Sequence, residues 1–87
     1  MNLEKIRIAK YIKTECGIDI DAKEIIFDLK SKSLYTVIAG QKVGCYWDNE
    51  LKTVVAYGNW YIVNEFTKSL LKLLGFKDWI NVKWSNY

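Results

Sequence analysis

Between Asn59 and Gly75 the chain reads NWYIVNEFTKSLLKLLG, and its apolar residues keep the period of a helix. Ile62, Val63, Phe66, Leu70, Leu73 and Leu74 recur at three- and four-residue steps and fall on one continuous stripe. Tyr61, Asn64, Glu65, Lys68 and Lys72 land on the opposite, solvated side. Asn59 is placed to accept from the first free amides as an N-cap, and Gly75 to take the left-handed conformation just past the end. Lys68 and Lys72 lie toward the C-terminal half, where the helix dipole favours cations. A stripe this apolar needs a surface to lie on, and the residues before it offer a sheet.

Taken in order, Asn2 to Cys16 reads as a first helix. Ile8, Ile12 and Cys16 stack at four-residue spacing, Ile6 and Ala9 widen the stripe, and Gly17 is a C-cap with Ile18 packing back. Lys5, Arg7, Lys10 and Lys13 are spread around the rest, as on a solvated face. Asp19-Ile20-Asp21-Ala22 is a connecting turn; the glycine and distal glutamate of a calcium loop are missing. From Lys23 the period changes to two. Ile25, Phe27 and Leu29 alternate with Glu24, Asp28 and Lys30 in a half-buried strand. Turns at Ser31-Lys32-Ser33, Gly40-Gln41-Lys42 and Asp48-Asn49-Glu50 separate further strands over Leu34 to Ala39, Val43 to Asp48 and Lys52 to Tyr57. Gly58-Asn59 either starts the second helix or makes a hairpin turn, with Trp60 to Val63 a further strand; the unbroken stripe from Ile62 favours the helix. Trp79 to Trp84 alternates again, with Ile80, Val82 and Trp84 on one side, and reads as a last strand added to an edge of the sheet. The expected architecture is α+β, a small single domain over residues 1–87 in the order α-β-β-β-β-α-β, with two helices packed on one face of an antiparallel meander.

Composition narrows the function. A chain of 87 residues buries only about 60–65% of the surface its unfolded form exposes, so every large side chain counts. Apolar residues make up 51% and aromatics 15%, enough to fold without staples. Cys16 and Cys45 match no metal spacing and read as buried free thiols rather than a bridge. Charge from the first residues and no long apolar run predict neither a signal peptide nor a membrane span, and a reducing, cytoplasmic setting. The net charge of +3, with both signs interspersed, describes a soluble surface rather than a nucleic-acid footprint.

Catalysis lacks its usual parts. There is no histidine, so the commonest general base and metal ligand are missing together. Cys45 lies mid-strand between Gly44 and Tyr46, where a cysteine behaves as a small hydrophobe. Asp48 and Glu50 sit at a turn. Gly40 and Gly44 form no phosphate-binding motif. The expectation is a protein that is not an enzyme and holds no cofactor or metal.

The aromatics say more. Tyr35, Tyr46 and Tyr57 share one parity class on three successive strands, with Val37 and Val55. Leu34, Ile38, Val43, Cys45, Trp47, Val54 and Ala56 form the other. If the helices cover the second class, the tyrosines line an uncovered face and supply amphipathic contact area. The alternatives are that a helix or the C-terminal segment covers them, or that the register slips at Gly44. The residues expected to touch a partner are Tyr35, Tyr46, Tyr57, Lys42, Lys52 and Tyr61.

These features point to a small protein-binding module, an inhibitor that covers a partner's surface. Its lysine- and isoleucine-rich, proline-free composition resembles that of phage and mobile-element accessory proteins, which makes an anti-defence inhibitor such as an anti-CRISPR the type expected. An RNA- or single-strand-binding domain is the second reading, with Lys30, Lys32, Lys42 and Lys52 near the strand aromatics. The order helix, three strands, helix resembles the double-stranded RNA-binding domain. That family carries a lysine cluster at the start of its second helix, where this chain has Asn59-Trp60-Tyr61-Ile62-Val63. Self-pairing into a homodimer through the tyrosine face or a sheet edge is a third reading, and no membrane partner is expected.

Overall fold

The computed structural model describes residues 2–59, 61–76 and 82–84. Helix α1 (Asn2–Cys16) leads through a 3₁₀ turn (Ala22–Glu24) into β1 (Ile26–Asp28), β2 (Ser33–Ile38), β3 (Gln41–Asp48) and β4 (Thr53–Tyr57). Helix α2 (Val63–Leu73) and β5 (Val82–Trp84) complete the order. The first four strands form an antiparallel meander in sequence order. The last strand joins the β4 edge and runs parallel to it, a direction that the helical crossover through α2 permits. The earlier part of the expected last strand, Trp79 to Asn81, and Trp60 lie outside the described residues.

Pairing puts the two parity classes where alternation predicts. Leu34 stands opposite Cys45, and Cys45 opposite Ala56; Thr36 faces Val43, and Trp47 faces Val54. This face carries α2 across β2, β3 and β4. Helix α1 packs in turn on α2 and on the 3₁₀ turn. Ile8, Ile12, Leu34, Cys45, Phe66 and Leu70 are fully buried in one apolar cluster. Thr36 Oγ1 donates to the Glu24 carbonyl at 2.9 Å, tying the 3₁₀ turn to β2 through a buried hydroxyl.

Several local expectations shift, each for a visible reason. Ile6 is 53% exposed and Leu3 lies open beside it, because α1 meets the core along Ile8 and Ile12, flanked by Ala9, Tyr11 and Cys16. Strand β1 ends at Asp28, whose Oδ1 accepts from the amides of Lys30 and Ser31 and turns the chain. Leu29 therefore sits in a turn, 66% exposed, instead of on the buried face. Asp48 repeats the device, accepting from Glu50 and Leu51. Both four-residue connections end on a lysine with positive φ, Lys32 at 53° and Lys52 at 55°. Between them lies a two-residue hairpin in which Ala39 and Gly40 have φ of 52° and 78°. Two consecutive left-handed residues define a turn that Asn-Gly fills best. Ala39→Asn should stabilise the domain by about 0.5–1 kcal/mol, raising Tm by about 2–6 °C in a calorimetric scan.

Helix α2 begins at Val63, three residues later than an N-cap at Asn59 implies. Asn59 Oδ1 accepts from Tyr61 N at 2.9 Å, and the Asn59 carbonyl accepts from Ile62 and Val63, so Asn59 caps a turn that feeds the helix. Residues 61–63 are thus turn and helix, not strand. At the other end Phe76 N donates to Leu71 O and Gly75 N to Lys72 O, around a Gly75 with φ of 90°, the Schellman arrangement. The helix is buried on more than one stripe: Thr67 and Ser69 are as inaccessible as Phe66.

Ser69 belongs to a polar clamp between the helices. Arg7 donates to a carboxylate oxygen of Glu65, to the Glu65 carbonyl and to Ser69 Oγ, and Ser69 Oγ donates to Glu4 Oε1 at 2.7 Å. Neither Arg7 nor Glu65 is a freely solvated surface group, contrary to the charge pattern. The hydrogen bond from Ser69 holds the Glu4 carboxyl below its usual range against partial burial, with Lys72 and Arg7 adding to the effect. Burial pushes the Glu65 carboxyl up, but hydrogen bonds from Arg7 and Lys68 outweigh it, and it too lies low. Acids depressed on folding stabilise the protein above the ordinary glutamate value of 4.5, and that stabilisation is lost as pH falls through the folded values. The urea midpoint should therefore fall between about pH 5 and pH 3 more steeply in the wild type than in a Glu4→Gln/Glu65→Gln double variant. Parallel profiles would remove the clamp from the acid response.

Candidate functional site

The face of the sheet away from α2 carries Ile26, Tyr35, Val37, Lys42, Gly44, Tyr46, Val55, Tyr57 and Lys83. Tyr35 and Tyr57 stand directly across from Gly44, one on each side. A β-carbon at Gly44 would lie 2.2 Å from the Leu34 carbonyl and 2.6 Å from Tyr35 Cα and Cβ, so the strands close here as only glycine allows. The missing side chain leaves a trough between the tyrosines. Lys42, two residues along the same strand, folds its ammonium 4.2 Å from the Tyr35 ring centroid and 5.9 Å from that of Tyr57. On the other side of Gly44, Tyr46 meets Tyr57 with centroids 6.2 Å apart and rings tilted by 41°. The trough opens into a groove of about 580 Å³ whose lining includes Ser31, Ser33, Gln41, Lys42, Tyr46 and Tyr57.

Four of the six expected contact residues, Tyr35, Tyr46, Tyr57 and Lys42, thus converge. Their roles differ. Tyr35 and Tyr46 are half-exposed, whereas Tyr57 is only 5% exposed and Val55 equally covered, so Tyr57 forms part of the floor instead of offering contact area. The other two stand apart from the groove. Lys52 occupies the β3–β4 turn, its Nζ 3.4 Å from Asn49 Oδ1, and the largely exposed Tyr61 lies on the turn into α2. Sequence reasoning missed Ile26, 42% exposed at the β1 edge, and Val37, 56% exposed, is the other large aliphatic side chain open on this face. It also missed Gly44, although a mid-strand glycine in the tyrosines' own parity class signals close backbone approach.

On the helix side a second, smaller groove of about 400 Å³ runs past Leu29, Lys32, Trp47, Leu74 and Phe76. Trp47 and Phe76 pack there with centroids 5.2 Å apart, which closes the end of the core. Cys45 lies deep beneath α2. Burial pushes its thiol up to about 12, partly offset by hydrogen bonding with Thr67, so it stays protonated and serves as packing. Cys16 is also free but only half-buried. Among the described residues no three His, Cys, Asp or Glu side chains gather as metal ligands would, and no helix is long and apolar enough to cross a membrane. Comparison with protein families, curated proteins and solved structures finds no match for the chain, so its reading rests on this geometry.

Proposed function

We propose that the chain is a non-catalytic binding module whose open sheet face covers the surface of a partner protein, as an inhibitor does. The observation that carries this reading is the contrast between the two faces. One is closed by α2, while the other presents the exposed Ile26 and Val37 and the half-buried Tyr35, with the Lys42 ammonium over the Tyr35 ring. Exposed aliphatic and aromatic area around a shallow groove is the composition of a protein interface core. The nucleic-acid reading is weaker on the same face. Among the described residues its lysines are Lys42 and Lys83, and its tyrosine rings pack against each other or under Lys42 instead of lying open for bases to stack. Among inhibitors, the anti-defence proteins of phages and mobile elements, anti-CRISPRs included, suit the size and proline-free composition.

The test passes host lysate and purified defence effectors over the immobilised protein and two variants. Val37→Glu places a charge on the open face; Lys68→Glu alters the exposed side of α2. A stoichiometric protein held by the wild type and Lys68→Glu but lost from Val37→Glu supports the reading. Equal retention by both variants overturns it, as does retention of nucleic acid at about 150 mM salt that collapses as salt rises.

A further inference from the structure

Lys42 differs from the other lysines of this surface in how it is held. An exposed ammonium usually stays in water with its stem mobile. Here it is drawn over two rings, because Gly44 leaves no side chain between Tyr35 and Tyr57 to keep it out. Among the described residues it pairs with no carboxylate. Two acids share the face at the far end: Asp28 stands across from Ser33 and Asp48 lies two residues beyond Tyr46, each keeping its charge while one oxygen accepts from two turn amides. The groove therefore has its cation at the Lys42 end and its acids beyond the Ser33 end, so an incoming carboxylate is answered at Lys42. At the other end Ser31 and Ser33 share a hydrogen bond of 2.7 Å, which leaves hydroxyl capacity toward the groove. Lys42 and Tyr46 are four residues apart on one strand, so the groove runs for about 13 Å along β3. That length matches about four residues of extended chain.

We propose that this groove receives an extended, acidic segment of the partner polypeptide, with one carboxylate seated on Lys42 and the backbone running toward Ser33. The proposal rests on the binding-module reading and names the chemistry the partner brings. In a strand every second side chain points one way, so the acid seated on Lys42 and the residue two positions on face the groove together. Tyr46 supplies an apolar wall and Tyr57 the floor, and the cation supplies register. A base would have to displace Lys42 from Tyr35 in order to stack, whereas a carboxylate takes the ammonium where it already lies.

The probe is a short synthetic peptide of one Glu followed by Thr residues, titrated into the labelled protein while the amide resonances of Gln41, Gly44 and Ser33 are followed by NMR. Saturable shifts at these three positions are expected, with a Kd on the order of 1 mM, since one exposed ion pair and a few strand contacts carry the binding. Lys42→Met keeps an apolar stem over the rings and removes the charge; it should weaken binding about two- to fivefold and reduce its salt dependence. Lys42 is exposed, so the variant retains the wild-type spectrum elsewhere. Unmoved Gln41 and Gly44 amides at about 10 mM peptide overturn the proposal, as does equal binding by Lys42→Met. If inorganic phosphate or oligothymidylate shifts the same amides at lower concentration than the peptide, the site belongs to phosphate and the proposal also falls. The two readings separate cleanly. Partner capture that survives Lys42→Met but not Val37→Glu leaves the binding module standing without its acidic anchor.

Discussion

Gly44→Ala is expected to lower the stability of the domain by about 3 kcal/mol, well beyond an ordinary glycine-to-alanine change. The new methyl would lie 2.2 Å from the Leu34 carbonyl oxygen and 2.6 Å from Tyr35 Cα. Both obstacles are backbone, so no rotamer change relieves them, and β2 and β3 must part in the middle of the sheet. Directly opposed β-carbons normally sit about 4.5–5.5 Å apart, and this pair has no room for that spacing. Gly40→Ala is the control. Nothing stands within 4 Å of a β-carbon there, and only the left-handed backbone resists, at about 1 kcal/mol. Urea unfolding checks both, with a midpoint lower by about 2–3 M for Gly44→Ala and under about 1 M for Gly40→Ala. A Gly44→Ala protein within about 1 kcal/mol of wild type would show that the strands separate easily and that the trough is not a rigid feature.

Phe66→Ala should destabilise by about 4 kcal/mol. Phe66 is fully buried in the apolar cluster, on the helix that alone lies across three strands. Removing its ring opens a void that the rest of the buried cluster cannot fill without moving the helix. A domain of this size has a total stability of about 4–13 kcal/mol, so the variant should retain only about 0–9 kcal/mol and melt well below the wild type. Its near-UV circular dichroism and amide dispersion should be lost at a correspondingly lower temperature, while Phe66→Leu loses only about 1–1.5 kcal/mol. A Phe66→Ala protein that stays native to heating would mean that α2 is held chiefly by the Arg7–Glu65–Ser69 clamp. In that case Arg7→Met, expected here to cost about 2 kcal/mol, would become the larger loss.

Much of this arrangement is written locally in the chain. Periods of 3.6 and 2 depend only on neighbouring residues, so α1 from Asn2 to Cys16, the meander and the two parity classes of its strands follow from the sequence. The same holds for the helix ends at Gly17 and Gly75, which are short-range backbone chemistry. The convergence of Tyr35, Tyr46, Tyr57 and Lys42 on one face was legible for this reason. What sets their different roles was not. Tyr57 is buried and Tyr35 only half-buried because burial depends on what lies above each position, which alternation does not encode.

The tertiary structure alone decided which charges meet. Arg7 and Glu65 are separated by 58 residues, and each looked like a solvated face until α1 was laid on α2. It alone decided that β5 runs parallel to β4, since a three-residue strand carries no signal of direction. And it alone made Gly44 the floor of a site. A glycine in a strand announces that something comes close; only the register names Leu34 and Tyr35 as that something and leaves Lys42 poised over the gap. Local periodicity determines what each element offers, and long-range pairing, which depends on all elements at once, determines what each offer meets.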